Sequence, residues 1–150
     1  MVDIVVPVYN TPIEDLERCF LSIQKQTYKD YKVYIIDDGS KESVKKFIDI
    51  YCKDKANFKV KHIVNGGVSN ARNIGINLSK DEYITFVDSD DTIEKNFLKE
   101  AVKILEDNDL DVVIGGYNEI KDGKVIRIRK SLPGVHIYQD DKVQLFFIKL

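Results

Sequence analysis

Hydrophobic and polar positions along the chain follow two rhythms that alternate from the start. Ile4–Val8 is a short unbroken apolar run, as in a buried strand. Leu16, Cys19, Phe20 and Ile23 then recur at helical spacing. Just ahead of them, Thr11-Pro12-Ile13-Glu14 reads as a capping box with Pro at the first helical position. Lys32–Ile36, aromatic and β-branched, predicts a second strand, and Ser40 is placed to cap a helix striped by Val44, Phe47, Ile48 and Tyr51. The alternation continues with a strand at Lys59–Val64, a helix at Val68–Leu78 and a strand at Glu82–Val87. A helix at Glu94–Glu106 and a strand at Asp111–Ile114 follow. The grammar then changes. Gly115-Gly116 breaks the run, and Tyr117–Ile120 and Lys124–Arg129 flank the hairpin turn signal Asp122-Gly123. Leu132-Pro133-Gly134 is a loop, and Val143, Phe146, Phe147 and Leu150 mark a last helix.

Strands that alternate with helices predict an α/β fold: a mostly parallel central sheet with helices on both faces. The hairpin near the C-terminus adds mixed pairing at one side. The 150 residues form a single domain, with 43% hydrophobic and 32% charged side chains, enough for a real core. The net charge of −2 excludes a protein that coats nucleic acid, which needs a basic surplus. It leaves room for a small phosphate-bearing ligand. Cys19 and Cys52 fall inside predicted helices among apolar neighbours and read as reduced core residues rather than a disulfide. Neither a secretion signal nor a bilayer-spanning run is visible, so the expected compartment is the cytoplasm.

The polar residues carry the functional signal through their position. Tyr9-Asn10, Asp37-Asp38-Gly39-Ser40, Asn65-Gly66-Gly67 and Asp88-Ser89-Asp90-Asp91 each follow a predicted strand. In an open α/β sheet the strand C-termini share one edge, where ligands bind, so these clusters should converge on a single crevice. Asp88 and Asp90 leave a strand end two residues apart and can point to one side, where they repel unless a cation or proton intervenes. Hard carboxylate oxygens suit Mg²⁺ or Mn²⁺, whose shell water and phosphate oxygens complete. The bland alternative has Asp91 or Thr92 capping the next helix, with Glu94 near its third position. Asp37-Asp38-Gly39-Ser40 is likewise either a turn with a Ser cap or a place for an Asp to accept a hydrogen bond from a base or ribose. In Asn65–Asn73 the glycines allow close backbone approach, the helix N-terminus favours anions, and Arg72 can reach a phosphate, stack on a base or form a surface ion pair. His62 and His136 have no ligand spacing around them and receive no role. Arg127 and Arg129 share a strand face opposite Ile126 and Ile128, a charged outward face that discourages edge pairing.

Taken together, Val6-Pro7-Val8-Tyr9-Asn10, Asp37-Asp38-Gly39-Ser40, Asn65-Gly66-Gly67-Val68-Ser69-Asn70-Ala71-Arg72-Asn73 and Asp88-Ser89-Asp90-Asp91 resemble family 2 glycosyltransferases of the GT-A fold. Gln26-Thr27-Tyr28 looks like that family too, and the likeness covers roughly the first two-thirds of the chain. The resemblance implies a Rossmann-like GT-A sandwich and a nucleotide diphosphate sugar donor, most often a uridine one. It implies that Pro7, Tyr9 and Asp38 surround the base, and that Arg72 lies near base or phosphates. Asp88 would lie at the ribose or metal and Asp90 would bind the metal, Mg²⁺ or Mn²⁺. Asn10, Gly66, Asn70 and Ser89 complete the implied nucleotide-sugar contacts. Transfer would invert the anomeric centre, to a hydroxyl of a glycan, lipid-linked or protein acceptor, as in cell-surface polysaccharide biosynthesis.

The family's catalytic base is an Asp well downstream of the D-x-D, and this chain reaches Leu150 in the middle of a helical pattern. Asp140-Asp141 read as the acidic opening of that last helix, not as the base. The expectation is therefore a donor-binding part truncated before the acceptor region, with the base beyond Leu150 and any contact with the inner face of a membrane made by missing C-terminal parts. An unfinished helix would leave apolar surface able to pair chains into a homo-oligomer. Two other readings stand beside this one. Asp88-Ser89-Asp90-Asp91-Thr92 after an apolar strand resembles the nucleophile loop of haloacid-dehalogenase-like phosphatases, although there the loop follows the first strand. A non-catalytic nucleotide-binding module is the second.

Overall fold

The computed structural model describes residues 1–121, 124–130 and 147–149. Its centre is a run of four parallel strands: β1 (Val2–Val8), β2 (Tyr31–Asp37), β3 (Phe58–His62) and β4 (Tyr83–Phe86). Helices α1 (Ile13–Gln24), α2 (Glu42–Cys52) and α3 (Val68–Leu78) connect them, and α4 (Phe97–Asn108) leads to a short β5 (Val112–Val113). β6 (Tyr117–Lys121) and β7 (Lys124–Arg129) form a separate antiparallel hairpin, and β8 (Phe147–Lys149) joins the main sheet. The sheet order is β3-β2-β1-β4-β8-β5.

Period-two alternation explains the layers. Val2, Ile4, Val6 and Val8 of β1 and Tyr31, Val33 and Ile35 of β2 point to one face, where side chains of α1, α2 and α4 cover them. Val5, Ile36 and Ile84 point to the other, against Ala71, Ile74 and Leu78 of α3. Burial on both faces is why the central strands read as continuous apolar runs. α3 lies very close to β1: a Cβ on Gly75 would run into the Val5 side chain. Phe20 anchors the larger core, its ring centroid 5.1 Å from that of Tyr51 and 6.3 Å from that of Phe58, and truncating it would cost about 3–5 kcal/mol. Cys19 and Cys52 are buried, free thiols, as expected. Among the described residues no helix is long and apolar enough to cross a membrane.

The helical pattern ending in Phe147 and Leu150 is overturned in part. Phe147–Lys149 is a strand, antiparallel to both β4 and β5. The open side of β4 offers a row of unpaired backbone groups, and satisfying them outweighs a short local periodicity. Val143, Phe146, Leu150, His136, Leu132-Pro133-Gly134, Asp140-Asp141 and the Asp122-Gly123 turn lie outside the described residues. Mixed pairing at one side is present, but β8 supplies it; among the described residues the hairpin strands pair only with each other. Every described position of the hairpin is exposed, and Arg127 faces Glu119 at 3.5 Å across it.

Three predicted helix starts also shift. α1 begins at Ile13 with Pro12 at the cap position, and Thr11 does not cap it. α2 is preceded by Lys41 rather than Ser40, and α4 starts at Phe97, beyond Asp91, Thr92 and Glu94. In each case the side chain expected to cap is drawn into other contacts or left in a loop near the strand ends.

Candidate functional site

The four strand-end loops meet at the carboxyl edge of the parallel sheet, and hydrogen bonds join them. Asn10, held at φ 53°, donates its amide to Ser40 Oγ at 2.9 Å and accepts the Lys41 amide on its side-chain oxygen at 2.9 Å. Asn is among the few residues that tolerate this conformation, which explains its place after β1. Thr11 and Ser89 share a buried hydroxyl–hydroxyl bond of 2.7 Å, tying the β1 loop to the loop after β4.

Asp38 is almost fully buried. Its Oδ1 accepts the Gly66 amide and its Oδ2 the Gly67 amide, both at 2.8 Å, with Asn65 Nδ2 at 3.3 Å from Oδ2. Both glycine N–H groups are therefore spent on Asp38. The glycines are needed for shape, because Gly67 sits at φ 88°, ψ 160°, which L side chains avoid. Beyond them, the Val68, Ser69 and Asn70 amides open α3 with no protein acceptor among the described residues.

Arg72 Nη2 donates to Asp88 Oδ1 at 2.6 Å, so the ion-pair alternative holds, with a partner inside the candidate site. Its Nε is buried without a hydrogen-bond partner among the described residues. Asp90 makes no hydrogen bond or ion pair among the described residues, and Asp88, Asp90 and Asp91 are all exposed. Burial, then the charges of Asp90 and Asp88, push the Asp91 carboxyl above its ordinary value. The Cys19 thiol, which donates to the Asp88 carbonyl at 3.6 Å, is pushed up to about 12 by burial and then by Asp91, Asp90 and Asp88. Among the described residues no group of three acidic, His or Cys side chains forms a ready metal cage.

The remaining candidates sit around this frame. Tyr9 is exposed at the mouth of the β1 loop. Pro7 is buried in β1 opposite Ile36. Its missing N–H faces the β4 side beyond the last paired residue Val5, so no ladder bond is lost. Asn70 packs against Gly66, where a Cβ would come within 2.6 Å of its Nδ2.

Two residues to which the sequence reading assigned no role hold parts of this frame. Gln26, fully buried, donates to the Ser22 and Glu94 carbonyls at 3.2 and 2.7 Å and accepts the Leu98 amide at 3.1 Å. With the Thr27 amide on the Lys95 carbonyl at 2.9 Å, it pins the connection from the Asp88–Asp91 loop to α4. His62, given no role above, lies between two carboxylates, with Nδ1 at 2.7 Å from Asp37 Oδ2 and Nε2 at 3.1 Å from Asp49 Oδ1. Register pairs it with Asp37, a signal visible only once the strands are aligned.

An open α/β sheet with acidic and glycine-bearing loops gathered at its carboxyl edge is the architecture of a nucleotide-binding domain. The glycosyl transferase family 2 model matches residues 3–148, and the chain belongs to that family. It is 38% identical over 118 residues to the glycosyltransferase GlyG of Streptococcus pneumoniae serotype 4, covering 78% of this chain and 39% of that protein. It is 35% identical over 117 residues to the uncharacterized glycosyltransferase EpsJ of Bacillus subtilis, covering 78% and 34%. The structure of TarS residues 1–349 from S. aureus in complex with UDP-GlcNAc superposes with a TM-score of 0.71 at 28% identity, over 84% of this chain and 36% of that one. The chain thus spans less than two-fifths of the length of these relatives. The GT-A fold read from the motifs is borne out, and family membership displaces the phosphatase reading.

Proposed function

We propose that this chain supplies the donor-binding part of an inverting, metal-assisted glycosyltransferase that uses a uridine diphosphate sugar. The observation that carries the reading is the convergence of four strand-end loops on one edge, with Asp38 buried in their midst and Asp88, Arg72 and Asp90 on the exposed side. The likeness to TarS, solved with UDP-GlcNAc, supports a uridine donor. In this reading Tyr9 and Pro7 flank the base. Asp38 has lone-pair capacity left beyond the three donors it already holds and accepts the base N–H. The open amides of Val68, Ser69 and Asn70 and the Arg72 guanidinium face the diphosphate, and Arg72 exchanges Asp88 for phosphate oxygen.

The donor set fits a divalent cation of a particular kind. Carboxylates placed this close repel one another and are relieved by positive charge, yet among the described residues too few groups converge for an all-protein cage. That combination suits Mg²⁺ or Mn²⁺ held by Asp90 and Asp88, with water and phosphate completing the shell. When bound, the metal neutralises charge on the departing diphosphate. Inverting displacement needs a carboxylate base on the acceptor side, which we assign to none of the described residues; donor binding is this chain's share. The acceptor is a glycan, lipid-linked or protein hydroxyl.

Calorimetry with uridine diphosphate tests the reading. Binding should tighten about tenfold or more with Mn²⁺ relative to chelator, and Asp90→Ala should remove that dependence. Equal affinity with and without metal, or intact metal dependence in the variant, would overturn the assignment.

A further inference from the structure

His62 ends β3 with a carboxylate on either side of its ring. Asp37, fully buried at the end of β2, accepts the Ser40 amide on Oδ1 at 3.0 Å and faces His62 Nδ1 with Oδ2 at 2.7 Å. Asp49 of α2 lies 3.1 Å from Nε2. Ionised carboxylates only accept hydrogen bonds, so both contacts are hydrogen bonds only when the imidazole carries two protons. A neutral ring keeps one N–H and turns a lone pair toward the other carboxylate. Asp37 from β2 and Asp49 from α2 are the charged groups that face it. Partial burial works against the ring's charge, but the bonds to Asp37 and then Asp49 outweigh it and raise the His62 pKa above its ordinary value.

From Asp37 the contacts run directly into the candidate site. Ser40, whose amide Asp37 holds, accepts the Asn10 amide, and Asn10 in turn accepts from Lys41. Asp38, the next residue, donates its amide to the Val8 carbonyl at 2.8 Å and secures the Gly66-Gly67 turn. A buried carboxylate whose only cationic contact among the described residues is a titratable ring makes that turn sensitive to the ring's proton.

We propose that doubly protonated His62 is a positioning residue for the Asp37–Ser40 turn, so that nucleotide binding there weakens as His62 loses a proton. The ligand in this inference rests on the nucleotide reading above; the geometry does not. Because the folded pKa lies above that of a free His, the contribution is complete below about pH 6.5 and is lost as pH rises through the His62 value.

The test follows uridine diphosphate binding with Mn²⁺ from about pH 6 to about pH 9 in the wild type, His62→Asn and Asp49→Asn. Ring and amide NMR titrations run alongside. The chain has two histidines, so the His62→Asn spectrum identifies the ring signal. Wild-type affinity should fall about fivefold, tracking the ring. Asp49→Asn should move both the ring midpoint and the fall toward acid. His62→Asn keeps an N–H toward Asp37 without charge, and should bind more weakly with no such fall. Constant wild-type affinity while the ring titrates, or an unchanged fall in His62→Asn, would overturn the proposal. If the nucleotide binds at no pH, the donor reading fails, and the Ser40 and Asn10 amides decide this one: titration with the ring supports it, and invariance rejects it.

Discussion

Two strand-end loops of this molecule carry adjacent acidic residues and treat them in opposite ways. After β2, Asp37 and Asp38 are buried, and protein groups surround their oxygens: backbone amides of Ser40, Gly66 and Gly67, the Asn65 amide and the His62 ring. After β4, Asp88, Asp90 and Asp91 stay exposed, and among the described residues only Asp88 has a cationic partner, Arg72. In sequence the two clusters look alike. A carboxylate can leave water only where donors replace the solvent, so the first loop is part of the scaffold. Carboxylates left exposed and crowded retain unmet demand for positive charge, so the second loop is where a metal and a diphosphate would act. Acidity at a strand end therefore marks the edge, while burial separates the carboxylates held by protein donors from those left open to solvent.

Substitutions should separate the two loops by their effect on stability. Asp38→Ala leaves the Gly66 and Gly67 amides without their acceptor, and should cost about 3 kcal/mol in urea unfolding. A loss below about 1 kcal/mol would show that the turn does not depend on that carboxylate. Gln26→Ala removes three bonds, two of them to the entry to α4, and should cost about 2 kcal/mol. It should also loosen the acidic loop, read as weaker metal-dependent nucleotide binding. Stability lost with binding intact would confine Gln26 to the core. Asp90→Ala should shift stability by no more than about 0.5 kcal/mol, since Asp90 is exposed and makes no hydrogen bond or ion pair among the described residues. A stabilisation well beyond that would mean that repulsion among Asp88, Asp90 and Asp91 strains the ligand-free fold more than their exposure suggests.

The exposed hairpin makes the same point from another direction. Its alternation and its Asp122-Gly123 signal announce β6 and β7 clearly, yet nothing in them says that the pair stands apart from the main sheet. Local chemistry specifies a hairpin, while its neighbours depend on which sheet edge is free.

By itself the sequence determined the order of strands and helices as far as β7, the apolar stripes of the helices, and the gathering of four polar clusters at one edge. Those follow from periods of two and 3.6 residues and from the handed connections of α/β units, all short-range or topological rules. Only the tertiary structure decided that Thr11 would bond Ser89 and Ser40 would hold Asn10 instead of capping helices, that β8 would close the side of β4, and that Asp38 would be occupied by glycine amides. It also gave His62 its two carboxylates. These partners lie 13 to 78 residues apart in the chain. A polar group bonds whatever donor or acceptor packing brings within about 3 Å, and that distance is set by the assembled sheet rather than by its neighbours in sequence.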